Sequence, residues 1–354
     1  MTHGTERNGT ERNVYLDIVK GIAISSVVLG HCIQFGSGRE FLQSEAFFDD
    51  FLFKIIYSCH MALFMLISGY LFGASLRKHD WHSVLASRLS SLVLPLLSWG
   101  VVGVLAAVLH YHGAMPLFKS VVSGYLHGMW FIWAILYNSL LVLLVKRFGK
   151  DNLCIYFVLY LALFVTPDGL NFALYKYMYP FFLCGYMAYK FDLMTRLSNI
   201  VSHKCFLFAV CTAGYVWLMQ FFAYESYIYT SHYSIVNFKA GSLELWKMGN
   251  DIYRMVTAFA GSILVLSALH FIWHRTKGLF IWRYIASVGR ASLAIYLFSG
   301  ELVFAHVLPK VMLDASSSYS LNFLETVLIL CMSYLVYLAM KNIRFLDKLF
   351  LGGR

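Results

Sequence analysis

Charge is scarce in this chain. Only 13% of its 354 residues are Asp, Glu, Lys or Arg, against 60% hydrophobic residues, and its mean hydropathy is +0.66. So few charges cannot cover that much apolar surface in water, which excludes a soluble globular domain. Proline is scarce as well, with five residues, and these form no matched pair of interrupted helices of the kind transporters use. A repeat of membrane spans, another transporter mark, is missing too. The seven cysteines include no C-x-x-C pair and no metal-ligand spacing, which excludes a zinc module. They read as small apolar residues, with Cys32–Cys59 the one disulfide that their placement allows. P-loop, G-x-S-x-G and dinucleotide-binding fingerprints are all absent, and with them the enzyme classes they mark. No long hydrophilic stretch exists, so no appended soluble domain is expected.

What the chain does have is long apolar runs. Only helix bundles and closed barrels satisfy backbone polar groups in lipid, and continuous runs rather than ten-residue alternation select helices. The expectation is an all-α integral membrane protein of about ten transmembrane helices. They lie near residues 14–35, 51–74, 85–109, 130–146, 152–166, 172–189, 205–224, 252–273, 284–308 and 321–340. Residues 1–13, which carry the tandem duplication GTERNGTERN, read as a disordered cytoplasmic tail ahead of an uncleaved first span. Residues 14–341 form the membrane domain, and 342–354 a short basic tail.

The net charge of +10 belongs to short clusters between apolar runs, not to a nucleic-acid surface. If the N-terminus is cytoplasmic, eighteen of the 28 Lys and Arg fall in inside segments and seven in outside ones, Lys176 among the seven. Lys20, Arg254 and Arg290 lie in spans or at their edges. This bias predicts both termini in the cytoplasm. The largest outer loop, 225–251, is rich in Tyr, Ser and Glu and is placed to cover an outward-facing site.

Charges inside spans need a reason, because each costs about 2.5–3.5 kcal/mol near a helix centre. Lys20 and His31 are eleven residues apart, about 16 Å of rise but only about 20° of rotation on a helix. They share one face, and Asp17 is placed for an i,i+3 pair with Lys20. Snorkelling explains Lys20 alone and an interfacial imidazole explains His31 alone; a polar stripe facing the bundle interior explains both. His60 falls in the outer half of the second span, so the two histidines make an acid–base pair, and a metal would need a third ligand that the spacing does not supply. Arg88 opens the third span and Arg290 reads as a cytoplasmic anchor. Arg254 begins the eighth span on the outer side, against the charge bias, with Asp251 one turn away. Glu301 ends the ninth span at the outer interface. The aromatic segment MWFIWAI (129–135), with Trp130, also suits an interfacial belt.

Six segments together resemble the membrane-bound acyltransferase 3 family, in particular its fucose 4-O-acetylase-like branch of sugar and polysaccharide O-acetyltransferases. YLDIVKGIAISSVVLGHC (15–32) is similar to the family's first span, where a basic residue, ten residues and a His recur, matched by Lys20 and His31. CHMALFMLISGYLFG (59–73) resembles FHMPLFFFISGYLF. RLSSLVLPLLSW (88–99) matches a basic, Pro and Trp pattern through Arg88, Pro95 and Trp99. MWFIWAI, YPFFLCGYMAYK (179–190) and VGRASLAIYLF (288–298) resemble three further family segments, in the family's order. There is one departure: Ser299 stands where the family often has His.

The resemblance implies transfer of an acetyl group from cytosolic acetyl-CoA to a hydroxyl of a cell-surface or undecaprenyl-linked glycan, in a bacterial inner membrane. It implies Lys20 and Arg88 as partners of the CoA phosphates, and His31 as base or acyl acceptor with His60 assisting. It implies Arg254, Trp130 and Tyr296 as acceptor contacts, with no metal. Without the resemblance, a transporter or flippase of a glycan or small anion remains the competing reading.

Overall fold

The computed structural model describes residues 13–110, 128–193, 205–230, 233–237, 241–300, 303–304 and 318–353. The terminal tail 1–12 and Glu301 lie outside them. Helix α1 (Val14–Gly36) starts at Asn13, whose side chain accepts from Leu16 N. A short helix α2 (Arg39–Gln43) leads to α3 (Phe51–Lys78), capped by Asp50 through Phe53 N. Then come α4 (Trp81–Arg88), a π turn (Leu89–Val93) and α5 (Leu94–His110). Pro95 has no N–H for the carbonyl four residues back, and the ladder widens there to i→i+5.

The next helices are α6 (Trp130–Phe148), α7 (Leu153–Val165), α8 (Phe172–Lys190) and α9 (Cys205–Met219). A two-residue antiparallel hairpin, β1 (Val236–Asn237) and β2 (Ser242–Leu243), pairs Val236 with Leu243. After it come α10 (Trp246–Thr276), α11 (Ile281–Arg290), α12 (Ser292–Phe298), α13 (Tyr319–Lys341) and a last turn, α14 (Arg344–Leu346), that runs into a π turn at Asp347–Leu351.

Among the described residues six helices are long and apolar enough to cross a membrane: Val14–Gly36, Phe51–Lys78, Trp81–Leu105, Trp130–Phe148, Trp246–Thr276 and Tyr319–Lys341. The protein is a multi-pass, all-α membrane protein. The other expected spans take different forms. Residues 152–166 and 205–224 yield the shorter apolar helices Leu153–Val165 and Phe208–Met219, and 172–189 a continuous helix, Phe172–Lys190, whose apolar run is broken by Lys176 and which carries Pro180 inside it. Residues 284–308 do not form one straight span: the chain turns at Ala291 (φ −86°, ψ 3°) between α11 and α12, and 305–308 are outside the described residues. The eighth span starts earlier than expected, at Trp246 rather than 252. Cys32 and Cys59 carry free, buried thiols, so the pairing that their placement allowed is not made.

Lipid supplies no hydrophobic drive between helices, so small residues that let backbones approach decide the crossings. α3 meets α8 at a reciprocal glycine contact. A Cβ on Gly69 would lie 2.0 Å from Phe182 O, and one on Gly185 1.9 Å from Leu66 O. α1 meets α11 in the same way, through Gly21 and Gly289. The core sits where α1, α3, α6 and α8 converge, around Val28, Met65, Ala134, Phe181 and Phe182.

Candidate functional site

The Gly21–Gly289 crossing sets the site. Lys20 and Arg290 are the chain neighbours of the two glycines, and both line a cavity of about 420 Å³ with Arg88 and Lys341. The π turn after Arg88 brings Leu92 to the same wall. No acidic side chain occurs among the described residues that line this basic cavity. Asp17, outside the lining, pairs with Lys20 Nζ at 2.7 Å. The Arg88 guanidinium lies 4.9 Å over the Phe72 ring, and Lys341 Nζ donates to Tyr337 OH at 2.8 Å. Arg290 donates to Ser287 Oγ, one turn back. Four cations line one concavity, an arrangement whose chemistry suits a polyanion, since charge-assisted bonds to phosphate are about twice as strong as neutral ones.

The C-terminal turn closes one side of this cavity with Leu351. Trp99 Nε1 donates to Phe350 O at 3.3 Å. Gly352 sits at φ +78° so close to the first π turn that a Cβ would lie 2.7 Å from Ser91 Cα.

A second cavity, of about 310 Å³, lies further along α1 and is lined by aromatic and polar side chains, among them His31, Gln34, Tyr57, His60, Trp130 and Tyr229. The Tyr57 ring neighbours both imidazoles, 4.8 Å from His60 and 6.5 Å from His31. Phe304 packs 4.8 Å from His31. His60 Nδ1 lies 2.7 Å from Ile56 O; a carbonyl accepts, so Nδ1 carries the proton and Nε2 the lone pair. His31 Nδ1 is buried with no partner within bonding distance, and Gln34, one turn on, is the polar side chain that interacts with this imidazole. A buried polar atom without a partner costs about 1–3 kcal/mol, and this one faces a cavity in which a bound molecule can supply the partner. Ser299 also lines this cavity, but its hydroxyl bonds Ile295 O in its own helix at 2.6 Å. It does not replace the missing imidazole.

The face of α1 on which the stripe was expected lines both cavities. Lys20, Ile24 and Val27 line the basic cavity, and Val27, His31 and Gln34 line the aromatic one. Tyr296 of α12 lines both, as does Met61 of α3. Six of the seven sequence-derived site residues therefore meet at these two cavities: Lys20 and Arg88 at one, His31, His60 and Trp130 at the other, Tyr296 at both.

Arg254 does not join them. It lies outside both linings, fully buried and ion-paired with Asp251, with its guanidinium 5.2 Å over Tyr177 and 5.6 Å over Tyr233. Beside it Lys176, also fully buried, pairs with Asp168 at 2.5 Å. Asp168 Oδ2 accepts from the backbone of Tyr233 and Ser234 at 2.7 Å each. The four charges pin the expected outer loop to α8 and α10, and that loop brings Tyr229 to the aromatic cavity. Lys176, counted as an outer-loop cation, is a buried clamp residue instead.

Sequence reasoning missed Arg290 and Lys341 as cavity residues. Both end helices, where a basic residue looks like an anchor, and only the crossing of α11 on α1 shows where Arg290 faces. Among the described residues no three His, Cys, Asp or Glu converge as metal ligands.

A helical multi-pass membrane protein with a polar site between its helices is the class that this fold defines. The chain belongs to the acyltransferase family, whose acyltransferase domain matches residues 13–341. It is similar to the Nodulation protein NolL of Sinorhizobium fredii, 27% identical over 301 residues that cover 82% of this chain and 78% of that protein. It is also similar to the Nodulation protein NolL of Mesorhizobium japonicum, 24% identical over 313 residues, 82% of this chain and 76% of that one. No solved structure matches it.

Proposed function

We propose that this acyltransferase moves an acetyl group from acetyl-CoA, on the cytosolic side of a bacterial inner membrane, to a hydroxyl of a cell-surface or lipid-linked glycan. The observation that carries this reading is the placement of two cavities end to end along α1, cations in one and imidazoles in the other. The charge bias of the loops puts the Lys20 end toward the cytosol, where the anionic donor is found. Lys20, Arg88, Arg290 and Lys341 bind its phosphates, and the pantetheine arm carries the thioester inward.

An unactivated hydroxyl attacks a thioester slowly. His31 removes the proton as the oxygen attacks, a gain of typically 10²–10⁴. His60, its tautomer held by Ile56 O, presents the Nε2 lone pair and orients the hydroxyl. Trp130, Tyr57 and Tyr229 offer the flat apolar faces on which a sugar ring stacks. The hydroxyl oxygen bonds to the acyl carbon, the carbon–sulfur bond breaks, and the proton held by the imidazole passes to the departing thiolate. Ester and free CoA thiol result.

Membranes containing the protein, incubated with acetyl-labelled acetyl-CoA, are expected to place ester-linked label on surface or lipid-linked glycan, and His31→Ala membranes are not. Substrate flux across the membrane with no label in any glycan overturns the reading in favour of a transporter.

A further inference from the structure

The two cavities share three lining residues, Val27, Met61 and Tyr296. We infer that these three side chains form the aperture through which the acyl group passes and that they set the length of acyl chain the enzyme accepts. The inference rests on the donor and acceptor assignment proposed above and goes beyond it to the choice of donor.

The position of the aperture follows from the helices. Val27 is one turn before His31 on α1, and Met61 follows His60 directly on α3. The acyl carbon must come within bonding distance of a hydroxyl held at those imidazoles while the CoA arm still fills the basic cavity. Among the described residues, the three common to both linings mark where both demands are met. One side is occupied by pantetheine and the other by the sugar, so whatever extends beyond the carbonyl carbon must lodge among Val27, Met61 and Tyr296.

Val27 and Met61 are both buried, 4% and 8% exposed, so close packing limits how far either side chain can move aside. Tyr296 is tethered, since its hydroxyl donates to Gly128 O at 3.3 Å. Val27 is β-branched, with a side chain stiff in a helix, on an α1 whose position the Gly21–Gly289 contact fixes. Only Met61 has the flexible thioether that adapts to a guest. A methyl is accommodated by one shift of Met61, whereas each further methylene meets Val27 or the tethered tyrosine. One extra methylene in a confined apolar site typically changes selectivity by roughly 10–200-fold. The transfer step is unchanged in kind: acceptor oxygen to acyl carbon forms, acyl carbon to sulfur breaks, and the hydroxyl proton ends on the CoA thiolate. Only the acyl tail differs.

The test is a donor series of acetyl-, propionyl-, butyryl- and hexanoyl-CoA with the full-length protein in membranes, each transfer rate expressed relative to acetyl. Wild-type protein is expected to use propionyl-CoA at least about tenfold more slowly than acetyl-CoA and longer donors more slowly again. Met61→Ala is expected to raise the butyryl-to-acetyl ratio about tenfold or more. Val27→Ala, which removes only two methyl groups and keeps the helix intact, is expected to raise it in the same direction and serves if Met61→Ala is lost from the membrane. The ratio is the readout because general damage to the fold lowers all donors together. A wild-type protein that transfers butyryl as fast as acetyl overturns the aperture, as do variants that keep the wild-type chain-length profile. A wild-type protein that transfers no acyl group from any donor instead overturns the reading on which the aperture rests.

Discussion

Gly21 and Gly289 are seated on each other's backbones. A Cβ on Gly21 would lie 2.1 Å from Ile285 O, and a Cβ on Gly289 1.8 Å from Asp17 O. Because their chain neighbours are Lys20 and Arg290, the same contact that holds α1 against α11 assembles half of the basic cavity.

Gly289→Ala is accordingly expected to destabilise the protein by about 1–3 kcal/mol or more, since the backbone oxygen it meets cannot move aside as a side chain would. Gly278→Ala, with open space at its Cβ, is the control and is expected to be neutral. Thermal melts of the detergent-solubilised protein, followed by size-exclusion chromatography, distinguish the two.

Removing a cation from the basic cavity is expected to weaken donor binding rather than chemistry. Lys20→Ala and Arg290→Ala should each raise the KM for acetyl-CoA about tenfold with kcat little changed, the signature of binding lost equally from ground and transition states. Steady-state kinetics at fixed ionic strength measure it. A fall in kcat alone would move these residues out of the donor site.

The two histidines are expected to fail differently. His31→Ala should lower kcat by about 10²–10⁴, the usual worth of a positioned base. His60→Gln keeps a hydrogen-bonding group in place but has no imidazole lone pair, and a smaller loss that falls mainly on acceptor KM is expected. Equal and complete losses in kcat for both would make His60 a proton carrier in its own right.

Arg254 is expected to matter for stability and not for acceptor affinity. Breaking a buried ion pair by removing one partner typically costs about 3–5 kcal/mol, because the other charge is left uncompensated. Arg254→Met should therefore melt early, and Arg254→Met combined with Asp251→Leu should recover much of the loss. A raised acceptor KM in the stable double variant would return Arg254 to the substrate.

The α1 stripe was legible in the sequence because helical geometry alone turns an eleven-residue spacing into a shared face. The Asp17–Lys20 and Asp251–Arg254 pairs were legible for the same reason. Arg290 and Lys341 were not, since a basic residue at a helix end looks the same whether it meets water, headgroups or a cavity. Nor was Lys176–Asp168, whose partners are joined across a turn that periodicity does not describe. The break at Ala291 was not foreseen, although Gly289, Arg290 and Ser292 interrupt the apolar run around it.

The membrane class, the helical architecture, the polar face of α1 and the family resemblance were determined by the sequence alone, because burial in lipid and helical periodicity act on neighbours along the chain. Which helices cross, and at which glycines, was decided only in the tertiary structure. So were the separation of cations from imidazoles into two cavities and the diversion of Arg254 into a structural clamp. Those outcomes depend on backbone approach between segments hundreds of residues apart, and local spacing carries no record of it.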